Sequence, residues 1–134
     1  MNTEVVTAVQ SPRAPRPSGA YSQAVRVGPL LFVSGQGPFD PLSDAIVGTE
    51  IGDQVRQTLA NVTTILTAAG ASLGHVAKIT AYLARESDFA EYDRVYAEFF
   101  PAVKPARTTV QAGTWEILIE IDAVAYLPQE GSTG

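Results

Sequence analysis

The stretch Lys104-Pro105-Ala106-Arg107-Thr108-Thr109-Val110, with Ile117-Leu118-Ile119-Glu120-Ile121-Asp122-Ala123 shortly after it, decides how this chain is read. Gly113 and Thr114 fit a two-residue turn with glycine in its first central position, which predicts a β-hairpin. The register then sets Arg107 opposite Glu120, Thr108 opposite Ile119 and Val110 opposite Ile117. By the period-2 rule one face is mainly apolar and continues through Ile121, Ala123 and Ala125. The other carries Arg107, Thr109, Leu118, Glu120 and Asp122. A guanidinium facing a carboxylate on the side turned away from the core is either a cross-strand ion pair or a site that holds a small anion.

Working outward, 76–83 alternates as a strand, with Ala77, Ile79, Ala81 and Leu83 on one side and Lys78, Thr80 and Tyr82 on the other. Over 50–69, Ile51, Val55, Leu59, Val62, Leu66 and Ala69 recur at helical spacing, with Thr49 as N-cap and Gly70 as the stop. Burying its five larger side chains is worth about 1.5–3 kcal/mol each before chain entropy is subtracted, so this stripe belongs on the sheet. A second helix is predicted over 88–100, ended by Pro101, with Phe89, Tyr92, Val95, Tyr96, Phe99 and Phe100 on its apolar side. Strands over 19–27 and 30–36, turned at Gly28-Pro29, and a short edge strand over 45–47 precede the first helix. The order is βββαβαββ: an α+β fold, a mixed sheet with two helices packed on one face. The other face carries Leu118, Val124 and Tyr126 beside the charged residues, too apolar for water alone, so partner subunits are expected over it.

The chain of 134 residues has the length of one domain, 1–134, with 1–18 an extended or mobile proline-rich lead. It has no cysteine and one histidine, which excludes disulfides, thiolate metal sites and thiol nucleophiles, and no spacing supports a metal site. His75 reads as a surface residue, and Ser34 lacks an evident histidine partner for a nucleophilic triad. A net charge of −5 with scattered basic residues argues against nucleic acid. No membrane-length apolar run or leader signature is seen, and a soluble, cytoplasmic protein is expected.

Four blocks in order, Gly19-Ala20-Tyr21-Ser22-Gln23-Ala24, Val33-Ser34-Gly35-Gln36, the Pro-Ala-Arg block at 105–107 and Ile119-Glu120-Ile121-Asp122-Ala123, resemble the signature segments of the RidA (YjgF) family of enamine and imine deaminases. The resemblance implies a chorismate-mutase-like fold and a homotrimer with three sites between subunits. It also implies cofactor-free hydrolysis of 2-aminoacrylate or 2-iminopropionate to a 2-keto acid and ammonia. By the same resemblance Arg107 holds the substrate carboxylate and Glu120 orients water. Tyr21 lines the pocket, Gly35 contributes backbone, and the family's pocket asparagine and cysteine become Asp93 and Thr109. These departures suggest a paralogue with its own substrate, such as an aminomuconate-type deaminase. A non-catalytic, chaperone-like trimer binding a keto acid is the alternative, and an RNA-cleaving translation inhibitor is disfavoured by the acidic balance.

The residue types suit the chemistry. A guanidinium grips a carboxylate through paired charge-assisted hydrogen bonds. A carboxylate beside that positive charge is expected to stay ionised and to pass a proton from water to the leaving nitrogen.

Overall fold

A strand flanked on both sides sits at the centre of the sheet, and here that strand is the last one. In the computed structural model, which describes residues 5–128, β1 (Thr7–Val9), β2 (Ala24–Val27), β3 (Leu30–Gln36), β4 (Val76–Leu83), β5 (Ala106–Gln111) and β6 (Ile119–Tyr126) form one sheet. Their order is β1-β2-β3-β6-β4-β5. Only β4 and β5 pair in parallel; the other neighbours are antiparallel. Two helices complete the order: α1 (Ile51–Ala68) between β3 and β4, and α2 (Phe89–Ala97) between β4 and β5. The α+β class and the mixed sheet with two helices are as expected.

The expected hairpin is not there. Because β4 lies between β5 and β6, Arg107 pairs with Ile79, and Glu120 pairs with Tyr82. The inward residues of β6, Ile119, Ile121, Ala123 and Ala125, are all at most 2% exposed, and a strand so buried gains most with a partner on each side. A parallel pair needs a crossover, which α2 provides. Residues 112–118 then carry the chain past the end of β4, where Ala112 N–H donates to the Leu83 carbonyl and Ala84 N–H to that of Leu118. Arg107 and Thr109 consequently share the helix-covered face with Ile79 and Ala81. Thr108 and Val110 share the open face with Glu120 and Asp122.

Smaller corrections follow the same physics. The letters βββ hold, but the strands differ: 45–47 contributes only the isolated bridge Phe39–Ile46, and the third strand is β1, from the proline-rich lead. That lead is extended at Thr7–Val9, and Ala14 is buried in the core; residues 1–4 and 129–134 lie outside the described residues. A register shift between Val76 and Lys78 turns Val76 inward and Ala77 outward. Leu118 packs against the core, not on the open face.

The stripe of α1 behaves as read: Val55, Leu59, Val62 and Leu66 are fully buried and Ile51 nearly so. Glu50, not Thr49, is the N-cap, without a side-chain bond. At the other end Gly70, at φ +80°, lets its own N–H reach the Thr67 carbonyl and that of Ala71 the Leu66 carbonyl, a left-handed stop that glycine adopts without Cβ strain. α2 ends at Ala97, and tight i→i+3 bonds through Phe100 finish the turn before Pro101. Among the described residues no helix is long and apolar enough to cross a membrane.

Candidate functional site

Arg107 enters the helix-covered face at the edge strand β5, where an apolar residue is the ordinary choice. Its guanidinium is accommodated because α2 presents aromatic rings at 89, 92 and 96, one helical face by their spacing. The guanidinium carbon lies 4.7 Å from the Tyr96 ring centroid, 5.1 Å from that of Tyr92 and 5.7 Å from that of Phe89. Such stacking contributes about 0.5–2 kcal/mol per cation. The rings brace one another, Phe89 on Tyr92, Tyr92 on Tyr96 and Tyr96 on Phe100, with centroids 5.6, 5.8 and 4.8 Å apart. Asp93 Oδ1 sits 2.9 Å from Arg107 Nη2; the arginine side chain is 22% exposed and that of Asp93 52%. Thr109 Oγ1 lies 2.7 Å from the Tyr92 hydroxyl. Burial pushes the Tyr92 hydroxyl up in pKa and the Tyr96 hydroxyl up to about 12. The Tyr96 hydroxyl, nearly sealed, has no hydrogen-bond partner among the described residues.

Glu120 points to the open face and lines a cleft of about 800 Å³ with Tyr21, Gly35, Phe39, Trp115 and Asp122. Its carboxyl rests against the backbone of Gly35: a methyl built there would collide with Glu120 Oε2 and stand 2.9 Å from Cδ. Burial raises the Glu120 pKa, and the charge of Asp122 raises it further. The Tyr82 hydroxyl donates to Asp122 Oδ2 at 3.1 Å. Burial weakens the acidity of Tyr82, and the bond to Asp122 adds to the effect.

Tyr21 is held beside Gly35 by its neighbours. Ser34 Oγ donates to the Ser22 carbonyl at 2.7 Å and Ser34 N–H to that of Gln23 at 2.9 Å. Ser18 N–H donates to the Tyr21 hydroxyl at 3.1 Å. The buried Gln23 amide accepts from Ser11 N–H at 2.6 Å and donates to the Pro15 carbonyl at 2.8 Å, so the lead is folded against the cleft. Ser34 is thus a structural donor. His75 accepts from Ser72 N–H at 3.0 Å and caps a short turn.

Residues missed in the sequence lie on α1. Gln54, Thr58 and Asn61 recur at helical spacing and are buried. Asn61 Nδ2 donates to the carbonyls of Gly37 and Phe39, each at 2.9 Å. Gln54 donates to the Gly48 carbonyl at 2.9 Å and accepts from Leu118 N–H at 2.8 Å. These amides fix the walls of the cleft. Their sequence signal was a polar row running beside the apolar stripe. Tyr92 and Tyr96, read only as core, are also the bed of Arg107.

The residues singled out therefore fall into two groups: Arg107, Asp93 and Thr109 on the helix side, and Glu120, Gly35 and Tyr21 on the open side. Two strand spacings, about 10 Å, and the sheet itself separate Arg107 from Glu120 within one chain. The expected ionisation of Glu120 by Arg107 does not arise in this chain; the carboxyl is shifted the other way. Among the described residues no three His, Asp or Glu side chains cluster as a metal site.

A mixed sheet with both crossover helices on one face, and charged groups recessed on each side of it, defines an α+β domain of the chorismate-mutase-like class. Residues 11–127 match the model of the Endoribonuclease L-PSP family. The chain belongs to that family, which includes the RidA (YjgF) and RutC proteins. It is 50% identical over 115 residues to a RutC family protein of Pyrococcus horikoshii, covering 84% of this chain and 91% of that one. It is 38% identical over 121 residues to the chloroplastic Reactive Intermediate Deaminase A of Arabidopsis thaliana, covering 89% and 65%. The crystal structure of Escherichia coli TdcF with bound serine superposes with a TM-score of 0.86 at 35% identity, covering 91% of this chain and 99% of that one.

Proposed function

We propose that this protein hydrolyses small 2-imino or enamine acids, of the 2-aminoacrylate and 2-iminopropionate type, to a 2-oxo acid and ammonia. The observation that carries the reading is the pairing of two incomplete half-sites on one chain: a guanidinium bedded on aromatic rings with Glu120 out of reach, and a recessed carboxyl with no cation beside it among the described residues. A cyclic homotrimer brings the first half of one copy to the second half of the next and covers Phe32, Val110 and Tyr126 on the open face. Arg107 then takes the substrate carboxylate, and Thr109 and Tyr21 bound the pocket. Water adds to C2 of the protonated imine as the C=N electrons move to nitrogen, and one of its protons passes to Glu120. Glu120 returns the proton to nitrogen, the C–N bond breaks, and the remaining hydroxyl gives the carbonyl as it loses its proton. Burial raises the Glu120 pKa, which suits a group that both accepts and donates a proton. Imines hydrolyse readily unaided, so positioning is enough and no cofactor is required.

The likeness to a reactive intermediate deaminase and to a protein crystallised with an amino acid supports this reading. RNA cleavage fits less well, because the charged residues lining the cleft, Glu116, Glu120 and Asp122, repel phosphate. The test generates 2-aminoacrylate with a dehydratase and follows 2-oxo acid release with wild type, Arg107→Ala or no protein. Acceleration by wild type alone is expected. Equal rates in all three would overturn the deaminase and leave a non-catalytic binding trimer.

A further inference from the structure

The ion pair between Asp93 and Arg107 gives the helix-side half-site two charges of opposite sign at contact distance. Asp93 Oδ1 lies 2.9 Å from Nη2, on the open flank of α2, while the aromatic rings occupy the face of the guanidinium. A ligand reaching Arg107 therefore arrives beside a carboxylate that is half exposed and already in contact with the same cation. A ligand that is only an anion meets attraction from one group and repulsion from the other. A ligand carrying a carboxylate and, on the adjacent carbon, a cationic nitrogen meets both with matching sign. It completes an alternating ring of four charges without leaving Asp93 unpaired.

We propose that Asp93 makes this site select zwitterions over anions. On this assignment, which rests on the carboxylate-gripping role proposed for Arg107, the ligand is a 2-iminio or 2-ammonio carboxylate. Its nitrogen is held by Asp93 and its carboxylate by Arg107. The consequence concerns turnover: a protonated imino acid matches the pair, whereas the 2-oxo acid left after ammonia departs has lost its cation and faces Asp93 as a bare anion. The same residue favours substrate entry and product release.

The test measures binding of pyruvate and of L-alanine, alike in carbon skeleton and differing at C2, by calorimetry or ligand-observed NMR. Wild type is expected to prefer L-alanine. Asp93→Asn is expected to bind pyruvate roughly fivefold tighter and L-alanine roughly fivefold more weakly, a change in preference of about 25-fold, the scale of one partly exposed ion pair in each direction. Asp93→Glu keeps the charge and should keep most of the preference. Alanine methyl ester, which lacks the carboxylate, should not bind. An unchanged pyruvate-to-alanine ratio in Asp93→Asn, with Arg107→Ala abolishing both, overturns the role of Asp93 and leaves that of Arg107 standing. Binding of both ligands undiminished by Arg107→Ala, or binding of neither to wild type, overturns both.

Discussion

The two half-sites are built by opposite strategies. The Arg107 side is local: Phe89, Tyr92, Asp93 and Tyr96 come from one helix, and Arg107 and Thr109 from the strand it leads into, so one β-α-β unit positions everything. The Glu120 side is assembled from four separate segments, around Tyr21, Gly35, Trp115 and Glu120, and held by amides projecting from α1. Stacked rings and an ion pair orient the first. The second depends on a close backbone approach and on loops pinned from behind. The cation is thus placed by short-range sequence, and the acid by the whole fold.

The largest effect should come from separating the two regions between subunits. Arg107→Ala and Glu120→Gln are each expected to lose about 10²-fold or more of the deaminase rate, the usual loss when an orienting or proton-transfer group is removed. If each site takes Arg107 from one copy and Glu120 from the next, co-refolding the two inactive variants in equal amounts restores about a quarter of the sites by random assortment. Rate recovery across a series of mixing ratios measures this. No recovery in verified mixed oligomers breaks the two-halves reading, since a site confined to one chain cannot be complemented.

Gly35→Ala sharpens the contrast on the Glu120 side alone. A new Cβ there meets the end of a flexible side chain, not backbone, so Glu120 swings away and the fold survives. A displacement of about 1 Å at a reacting group costs on the order of 10²-fold. The rate should fall by that order with little change in melting temperature. Adding Gly35→Ala to Glu120→Gln should cost nothing further, the non-additivity expected of residues that act as one unit. A normal rate in Gly35→Ala would mean that the position of Glu120 against the strand is irrelevant.

Much of the fold is legible in the sequence; what is not depends on long-range strand pairing and on what covers a helix surface. The alternation in β4 from Lys78 onward and in β6, the stripe of α1 and the Gly70 stop each follow from local periodicity or one backbone preference, and the structure has them. The pairing of β5 does not follow from local pattern. Gly113-Thr114 between two alternating runs fits a hairpin equally well, and only the insertion of β4 between β5 and β6, a long-range choice driven by burying β6 on both sides, decides against it. That single error carried Arg107 to the wrong face. Gln54 and Asn61 escaped notice because a polar row on a helix ordinarily faces water; here loops that need donors cover it.

The smallest effect is in stability, and it separates the regions by sign. Burial holds the Glu120 carboxyl above its ordinary 4.5 in the folded chain, so between that value and the raised one the native state binds more protons than the unfolded state. Stability from this group then falls as pH rises through that window, and above it the chain carries the cost of a buried carboxylate. Glu120→Gln cannot ionise. Its melting temperature, compared with wild type, should match most closely at pH 4 and gain on it toward pH 7, even as activity is lost. A wild-type advantage that grows with pH instead would mean that the neighbouring copy's guanidinium outweighs burial at Glu120, since within one chain the sheet keeps Arg107 away.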